Sequence, residues 1–199
     1  MIVPALFALL AGAASAQESA SAFSAAERRA LIAGELVRRN VTRREGRDRL
    51  FGGTSWMRVR APIDEVWRTV SRPTAFPRLV PSLDRVRVVE EEGDERIVWM
   101  HHSYAIAETE YYARMTLDPE RREMRFELDR SRPHGGLRAG RGFLSLSEFR
   151  GGTIVAWGML ADVGAGMVQQ VFGPFLNDWL LKPPRCVRDE LEPGRVNEC

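Results

Sequence analysis

Between residues 61 and 89 the chain runs APIDEVWRTVSRPTAFPRLVPSLDRVRVV, and its four prolines, Pro62, Pro73, Pro77 and Pro81, restrict what this stretch can become. Proline lacks a backbone N–H and fixes φ, so it suits the first turn of a helix and breaks one further in. Pro62 followed by Asp64 and Glu65 marks a helix start, with the carboxylates at the positive end of the helix dipole. Ile63, Val66, Trp67 and Val70 fall at i, i+3, i+4 and i+7 and share one face. Arg72-Pro73 ends this helix, and a second piece of one or two turns carries Phe76, Leu79 and Val80. Helices this short are unstable alone, so they must brace something larger, and the prolines set the bend between them.

The flanking segments alternate in polarity. TSWMRVRA, from about Gly52, precedes the two helices. After Pro81, LDRVRVVEE ends at Gly93-Asp94, and RIVWMHHSYAI leads into TEYYARMTL, which stops at Asp118-Pro119. EMRFELD ends before Pro133-His134-Gly135-Gly136, and RGFLSLSEF turns at Gly151-Gly152 into TIVAWGMLADV. Short turns between alternating runs predict an antiparallel meander of about seven strands with one face covered. The fold class is α+β.

The cover must come last. AGMVQQVFGPFLNDWLLKPPRCVRDELE places Met167, Val168, Val171, Phe172, Phe175, Leu176, Trp179 and Leu180 at helical spacing. A helix over residues 167–182 would span roughly 24 Å, enough to cross most of a sheet. Pro174 and the Pro183-Pro184 pair should kink or segment it. At the other end, Ser24 and Glu27 form an S-x-x-E capping box that opens a helix through about Arg39, with Leu31, Ile32, Leu36 and Val37 as its apolar stripe.

With these elements in order, the chain resembles the SRPBCC or START-like helix-grip superfamily, in its polyketide cyclase/dehydrase and coenzyme Q-binding branch. The run VRAPIDEVWRTVSRPTAFPRLVPSLDRVRVVE, the strand series, the GGTIVAW hairpin and the terminal amphipathic helix carry the likeness, most sharply the A-P-x-x-x-V-W element formed by Ala61, Pro62, Val66 and Trp67. The resemblance covers about residues 52 to 192. It implies a curved antiparallel sheet wrapped around a long C-terminal helix, with two short helices after the first strand. It is nearly silent on chemistry, because the scaffold serves several jobs, and it transfers no binding residue by name.

The N-terminal residues lie outside that domain. IVPALFALLAGAASA is too short an apolar run to span a bilayer, and Ala14-Ser15-Ala16 fits a small-residue cleavage site. No basic residue precedes the run, a departure from the usual export signal, and no cysteine follows the cleavage site as a lipoprotein would require. The expected organisation is a signal peptide (1–16), an N-terminal lead and helix (17–51), the helix-grip domain (52–192) and a tail (193–199). This implies a periplasmic or secreted protein.

Formal net charge is +2, and Lys182 is the only lysine among 29 basic residues. The densest basic cluster, RRNVTRREGRDR (38–49), has no interleaved aromatics and reads as a solvated face with room for transient contact with an anionic membrane surface. Nucleic acid is not an expected partner. Cys186 and Cys199 are an even count suited to an oxidising compartment, which leaves a bridge and two free thiols both open.

No nucleophile elbow, zinc-protease motif, Walker A or C-x-x-C is present. His101 and His102 are adjacent on a strand and point to opposite faces, so they cannot share a metal. No cofactor, metal site or catalytic residue is assigned. Alternation places Met100, His102 and Tyr104 on the more apolar face of one strand, Tyr111, Ala113 and Met115 on the next, and Phe126 and Leu128 after that. Opposite them the terminal helix offers Phe172, Phe175 and Trp179. These residues form either a filled core or a cavity wall with a few polar hooks, and likeness to the family favours the cavity. The function expected is non-catalytic binding of a hydrophobic small molecule, lipid, quinone or polyketide-like. The alternative is an aromatase/cyclase-type enzyme in which His102, Tyr104 or Tyr111 assists proton transfer. N-terminal sequencing of protein from the native host tests the export expectation: the mature chain should begin at Gln17, and a retained Met1 in a cytoplasmic fraction would refute it.

Overall fold

The computed structural model describes residues 23–104, 107–164, 176–192, 194 and 199. Residues 1–16, Phe172 and Phe175 lie outside them. The first element is α1 (Ala25–Ala33), opened by the capping box: the Glu27 N–H donates to the Ser24 hydroxyl at 3.2 Å, and the Ser24 N–H donates to the Glu27 carboxylate at 2.7 Å. Gly34 ends the helix in the left-handed conformation, at φ 75°.

The expected continuation of α1 to Arg39 is therefore incorrect. Residues beyond the glycine form strand β1 (Val37–Glu45), which turns back into β2 (Asp48–Val59). The sheet begins at Val37 and has eight strands, not about seven. In β1 only Val37 is buried, so the strand lacks the apolar alternation that would have announced it. Four of its nine residues are arginines at a sheet edge, where charge discourages pairing with other chains.

From Pro62 onward the order follows expectation: α2 (Ile63–Val70), a 3₁₀ turn (Pro73–Ala75), α3 (Phe76–Leu79), then β3 (Leu83–Glu92), β4 (Glu95–Tyr104), β5 (Ala107–Asp118), β6 (Glu123–Leu128), β7 (Ala139–Phe149) and β8 (Gly152–Asp162). All neighbours are antiparallel, in the order β1-β2-β8-β7-β6-β5-β4-β3. The pairing of β2 with β8, from Phe51↔Ala161 to Val59↔Thr153, joins the two ends of the strand series. Register shifts between Leu83 and Arg85 and between Val88 and Glu90 bend the opposite edge.

Two apolar layers hold this sheet. On the convex side, Phe23 and Leu31 pack on Val37, Trp56, Ile154 and Ala156. On the concave side, Val66, Trp67, Val70, Phe76 and Leu79 from the short helices cover Val59, Val98, Met115, Leu144, Leu146 and Val155. The described part of the predicted C-terminal helix is a helical stretch over 176–180 that breaks before the proline pair. A separate helix, α4 (Pro183–Leu191), begins there with both prolines in its first turn, where their missing N–H groups cost nothing.

Helix α4 is tied down by polar contacts: Arg188 donates to the buried Asp189 carboxylate and to the Gly34 carbonyl, Arg78 pairs with Glu190 at 2.6 Å, and the Arg60 N–H donates to Glu192 at 2.9 Å. Cys186 is fully buried and bridged to Cys199, with Cα atoms 5.6 Å apart. The bridge closes 13 residues of separation, which on the chain-entropy account is about 3 kcal/mol. Cys199→Ser should lower the unfolding free energy by that order in urea melts, and neither cysteine of the wild type should alkylate without reductant.

Candidate functional site

A cavity of about 170 Å³ lies between the concave face of the sheet, α3 and the 176–180 helical stretch. Its floor comes from alternate residues of successive strands: Met100 on β4, Ala113 and Met115 on β5, Met124, Phe126 and Leu128 on β6, Leu144 on β7, and Trp157 and Met159 on β8. Its roof comes from Phe76, Leu79, Val80 and Pro81 and from Leu176, Trp179, Leu180 and Val187. The two short helices thus supply one end of the cavity roof.

Space remains because several wall positions are small. Ala113, Gly140 and Ala161 border the cavity, and Gly142 lets the Phe126 ring lie down on the sheet. A Cβ at Gly142 would come within 2.3 Å of that ring. Phe126 rests instead against Trp157, with centroids 4.8 Å apart. The large side chains line the wall and leave the space between sheet and helix open.

Polar groups in this wall are few and mostly occupied. The Trp157 indole N–H donates to the Leu180 carbonyl at 2.8 Å, and the Trp179 N–H donates to the Ser82 hydroxyl at 3.3 Å, so both indoles fasten the 176–180 stretch across the sheet. Ser82 is held at φ 57°, an unusual conformation for a residue other than glycine.

His102 and Tyr111 face each other across β4 and β5, with Nε2 and the phenol oxygen 2.9 Å apart and the rings stacked at 5.6 Å. Trp179 closes over His102 at 5.4 Å. Nδ1 of His102 has no well-formed hydrogen bond, although the Pro81 carbonyl lies near enough to offset part of its burial. Burial lowers the His102 pKa to about 4, which keeps the ring neutral, and the same dehydration raises the Tyr111 phenol above its ordinary range. In a neutral ring Nε2 accepts the Tyr111 proton, leaving Nδ1 as the donor; this tautomer is inferred from the partners. Tyr111 is only half-buried by surface area, and its free face is cavity wall. The end of the cavity nearest Thr109, Glu127 and Gly135-Gly136 is more polar, and there the Thr109 hydroxyl donates to the Gly135 carbonyl at 3.0 Å.

Of the residues expected on the wall, the structure brings together Met100, His102, Tyr111, Ala113, Met115, Phe126, Leu128 and Trp179. The side chain of Tyr104 lies outside the described residues. His101 points away from His102, to the convex side, where its Nδ1 meets Asp84 at 2.6 Å and Arg85 meets its Nε2 at 3.0 Å. Sequence reasoning missed Pro81 and Leu79, which reach the site through the bend between short helices, and Trp157 and Met159. The latter two alternate in TIVAWGMLADV and were legible on the same terms as the β4 and β5 residues.

The fold and cavity define a helix-grip protein with an enclosed apolar site. Residues 59–182 match the family model described as polyketide cyclase / dehydrase and lipid transport, and the chain belongs to that family. No curated protein sequence matches it. Among solved structures, a STAR-related lipid transfer protein from Xanthomonas axonopodis superposes with a TM-score of 0.58 at 12% identity, covering 76% of this chain and 98% of its own. The Zhui aromatase/cyclase from Streptomyces sp. R1128 gives 0.56 at 16%, covering 80% and 100%. A START superfamily protein from Mycobacterium smegmatis gives 0.55 at 13%, covering 69% and 94%. At these identities the likeness concerns the fold.

The depressed pKa of His102 has a measurable consequence. Unfolding returns the imidazole from about 4 to near 6.5. Between those values the unfolded chain binds a proton that the folded one refuses, so stability falls as pH falls through this window and the loss levels off below about pH 4. The shift corresponds to about 3 kcal/mol. His102→Gln, which keeps a hydrogen-bonding group and does not titrate, should remove that component; parallel acid-stability curves for wild type and variant would refute the assignment.

Proposed function

We propose that the protein is an exported carrier that binds a hydrophobic small molecule, a lipid, quinone or polyketide-like compound, between sheet and C-terminal helix and carries or presents it without covalent chemistry. The observation that carries this reading is the cavity itself: an apolar space left open by Ala113, Gly140 and Ala161 in an otherwise well-packed core. Its volume of about 170 Å³ is comparable with engineered apolar cavities that stay dry and admit benzene, so a single ring or short acyl segment fits without rearrangement and a larger molecule enters by displacing the flexible methionine side chains of the wall. Membership in a family named for lipid transport as well as cyclisation supports the ligand class. Export rests on the N-terminal 16 residues and their small-residue cleavage site.

One observation favours the second reading, an aromatase/cyclase-type enzyme. His102 and Tyr111 form a neutral, hydrogen-bonded pair inside the cavity, and Tyr111 retains its proton, which a substrate carbonyl would have to accept in place of His102 Nε2. Turnover of a polyketide-like substrate that is lost in Tyr111→Phe would favour catalysis over carriage. Export separates a protein from cytoplasmic polyketide assembly, and this places the carrier first.

Titration with the apolar fluorophore N-phenyl-1-naphthylamine tests the carrier reading. Wild type should take up the probe with enhanced, blue-shifted emission. Ala113→Trp should abolish uptake with an unchanged far-ultraviolet circular dichroism spectrum, because the indole would occupy the cavity. Unfolding of Ala113→Trp together with no probe uptake by wild type would mean that the core is filled.

A further inference from the structure

We propose that the end of the sheet beside the cavity-lining residues Leu137 and Val163 docks on an anionic membrane surface through an arginine cluster, or lip, made of Arg44, Arg47, Arg49 and Arg138. This rests on the reading that the cavity takes an apolar ligand, and it adds where that ligand would enter or leave. All four side chains are exposed, and none makes an ion pair among the described residues.

Backbone contacts fix their place. The buried Asp162 carboxylate accepts the Arg49 N–H at 2.7 Å and the Gly164 N–H at 2.8 Å, while the Asp162 carbonyl accepts the Arg138 N–H at 2.8 Å. The neighbours of these residues, Val163 and Leu137, line the cavity. Arg49 lies two residues before Phe51, which packs against the cluster of Ala161, Leu176 and Leu180, so alternation puts Arg49 on the concave face at the lip. Arg44 is its cross-strand partner and shares that face. Arg38, on the same face of β1, reaches Asp178 of the 176–180 stretch, which confirms the orientation.

Two arginines directly opposite each other on one sheet face repel, and nearby acids do not relieve them. Glu45 is engaged by Arg43 and Arg141, and Asp48 by Arg130. Asp162 is buried and saturated by backbone donors. The exposed carboxylates Glu108, Glu110 and Glu127 belong to β5 and β6, separated from β1 and β2 by β8 and β7 in the sheet. The charge is therefore one-sided, and a partner must supply anions on the β1–β2 side. Guanidinium groups match phosphate oxygens in paired hydrogen bonds. A bilayer offers phosphates with apolar chains directly beneath, in the same order as these arginines and the neighbouring cavity-lining residues Leu137 and Val163. A nucleic acid would look for stacking surfaces, and residues 38–49 contain no aromatic side chain.

Flotation of the full folded protein with phosphatidylcholine vesicles, with and without about one third phosphatidylglycerol, tests the proposal. Binding should require the anionic lipid and vanish on raising salt from about 0.1 M to about 1 M, where the screening length falls to about 3 Å. An arginine near an anionic surface strengthens binding about fivefold, so Arg44→Ser/Arg47→Ser/Arg49→Ser should weaken partitioning about a hundredfold. Arg138→Ser alone, held beside Arg49 at Asp162, should weaken it about fivefold. Equal binding to neutral vesicles, unchanged binding by both variants, or equally tight binding to a duplex DNA of matched charge would overturn the proposal. Uptake of N-phenyl-1-naphthylamine by the same folded variants keeps the two readings apart. Uptake without anion-dependent flotation removes the docking surface alone, whereas flotation without uptake by wild type leaves the docking surface standing and removes the carrier.

Discussion

Strand β2 passes between β1 and β8 with no room for a side chain at Gly52 or Gly53. A Cβ on Gly52 would sit 2.0 Å from the Met159 carbonyl oxygen, and one on Gly53 2.1 Å from that of Arg39. Both residues hold φ near 140–147°, open to glycine and closed to L side chains. Close passage at this point bends the sheet on one side, and the bulges of β3 against β4 bend it on the other. Curvature gives the sheet a concave face, and only a concave face can leave a cavity beneath a covering helix. The rest of the site follows from that bend: short helices seal one end, and indole N–H bonds from Trp157 and Trp179 hold the cover at a fixed height.

Within that enclosure polarity is rationed. Burying an unpaired polar group costs several times what a formed hydrogen bond returns, and here the indole donors are used for anchoring and the Tyr111 hydroxyl for His102. Among the described residues, what remains for a ligand is mostly methionine, leucine and aromatic surface, with an incompletely used imidazole nitrogen and a more polar end at Thr109 and Glu127. A charged ligand would have to enter without a counter-ion, since His102 is itself neutral. On the proposed carrier reading, this wall favours neutral, largely apolar molecules.

How far this was legible in sequence depends on which residues are constrained twice. Wall positions such as Met100, His102 and Ala113 lie on strands covered on one face, so alternation exposes them. The APIDEVW helix start and the Pro183-Pro184 break were legible because proline has few conformations. Strand β1 was not, because an edge strand covered on neither face has no pattern of burial, and its arginines are as compatible with a helix as with a strand. Gly34 carried the missing signal: a glycine after an apolar helical stripe is a common stop, and Val37 then reaches the convex core from a strand. Depth at the cavity was also hidden. Gly140 looks like a turn residue ahead of RGFLSLSEF and Gly142 like an ordinary position within that strand, and their role in making space appears only once Phe126 is seen lying over one of them.

The distribution of arginine separates two demands on the same edge. A sheet ending in β1 needs charge along that strand to prevent pairing with other chains, and Arg38, Arg39 and Arg43 meet this need while paired to Asp178, Glu27 and Glu45. Such exposed pairs contribute little stability, but they leave the flank of the sheet nearly neutral. Protection of the edge does not explain the open end. Arg47 lies in a turn and Arg138 in the connection between β6 and β7, neither of which can template a strand, and Arg44 faces Arg49 where an acid would have been the stabilising choice. Charge that serves solubility or edge protection can be paired and spread out. On the proposed reading, charge left unpaired among the described residues serves an external anion, and at this end the fold sets four guanidinium groups beside the cavity-lining residues Leu137 and Val163.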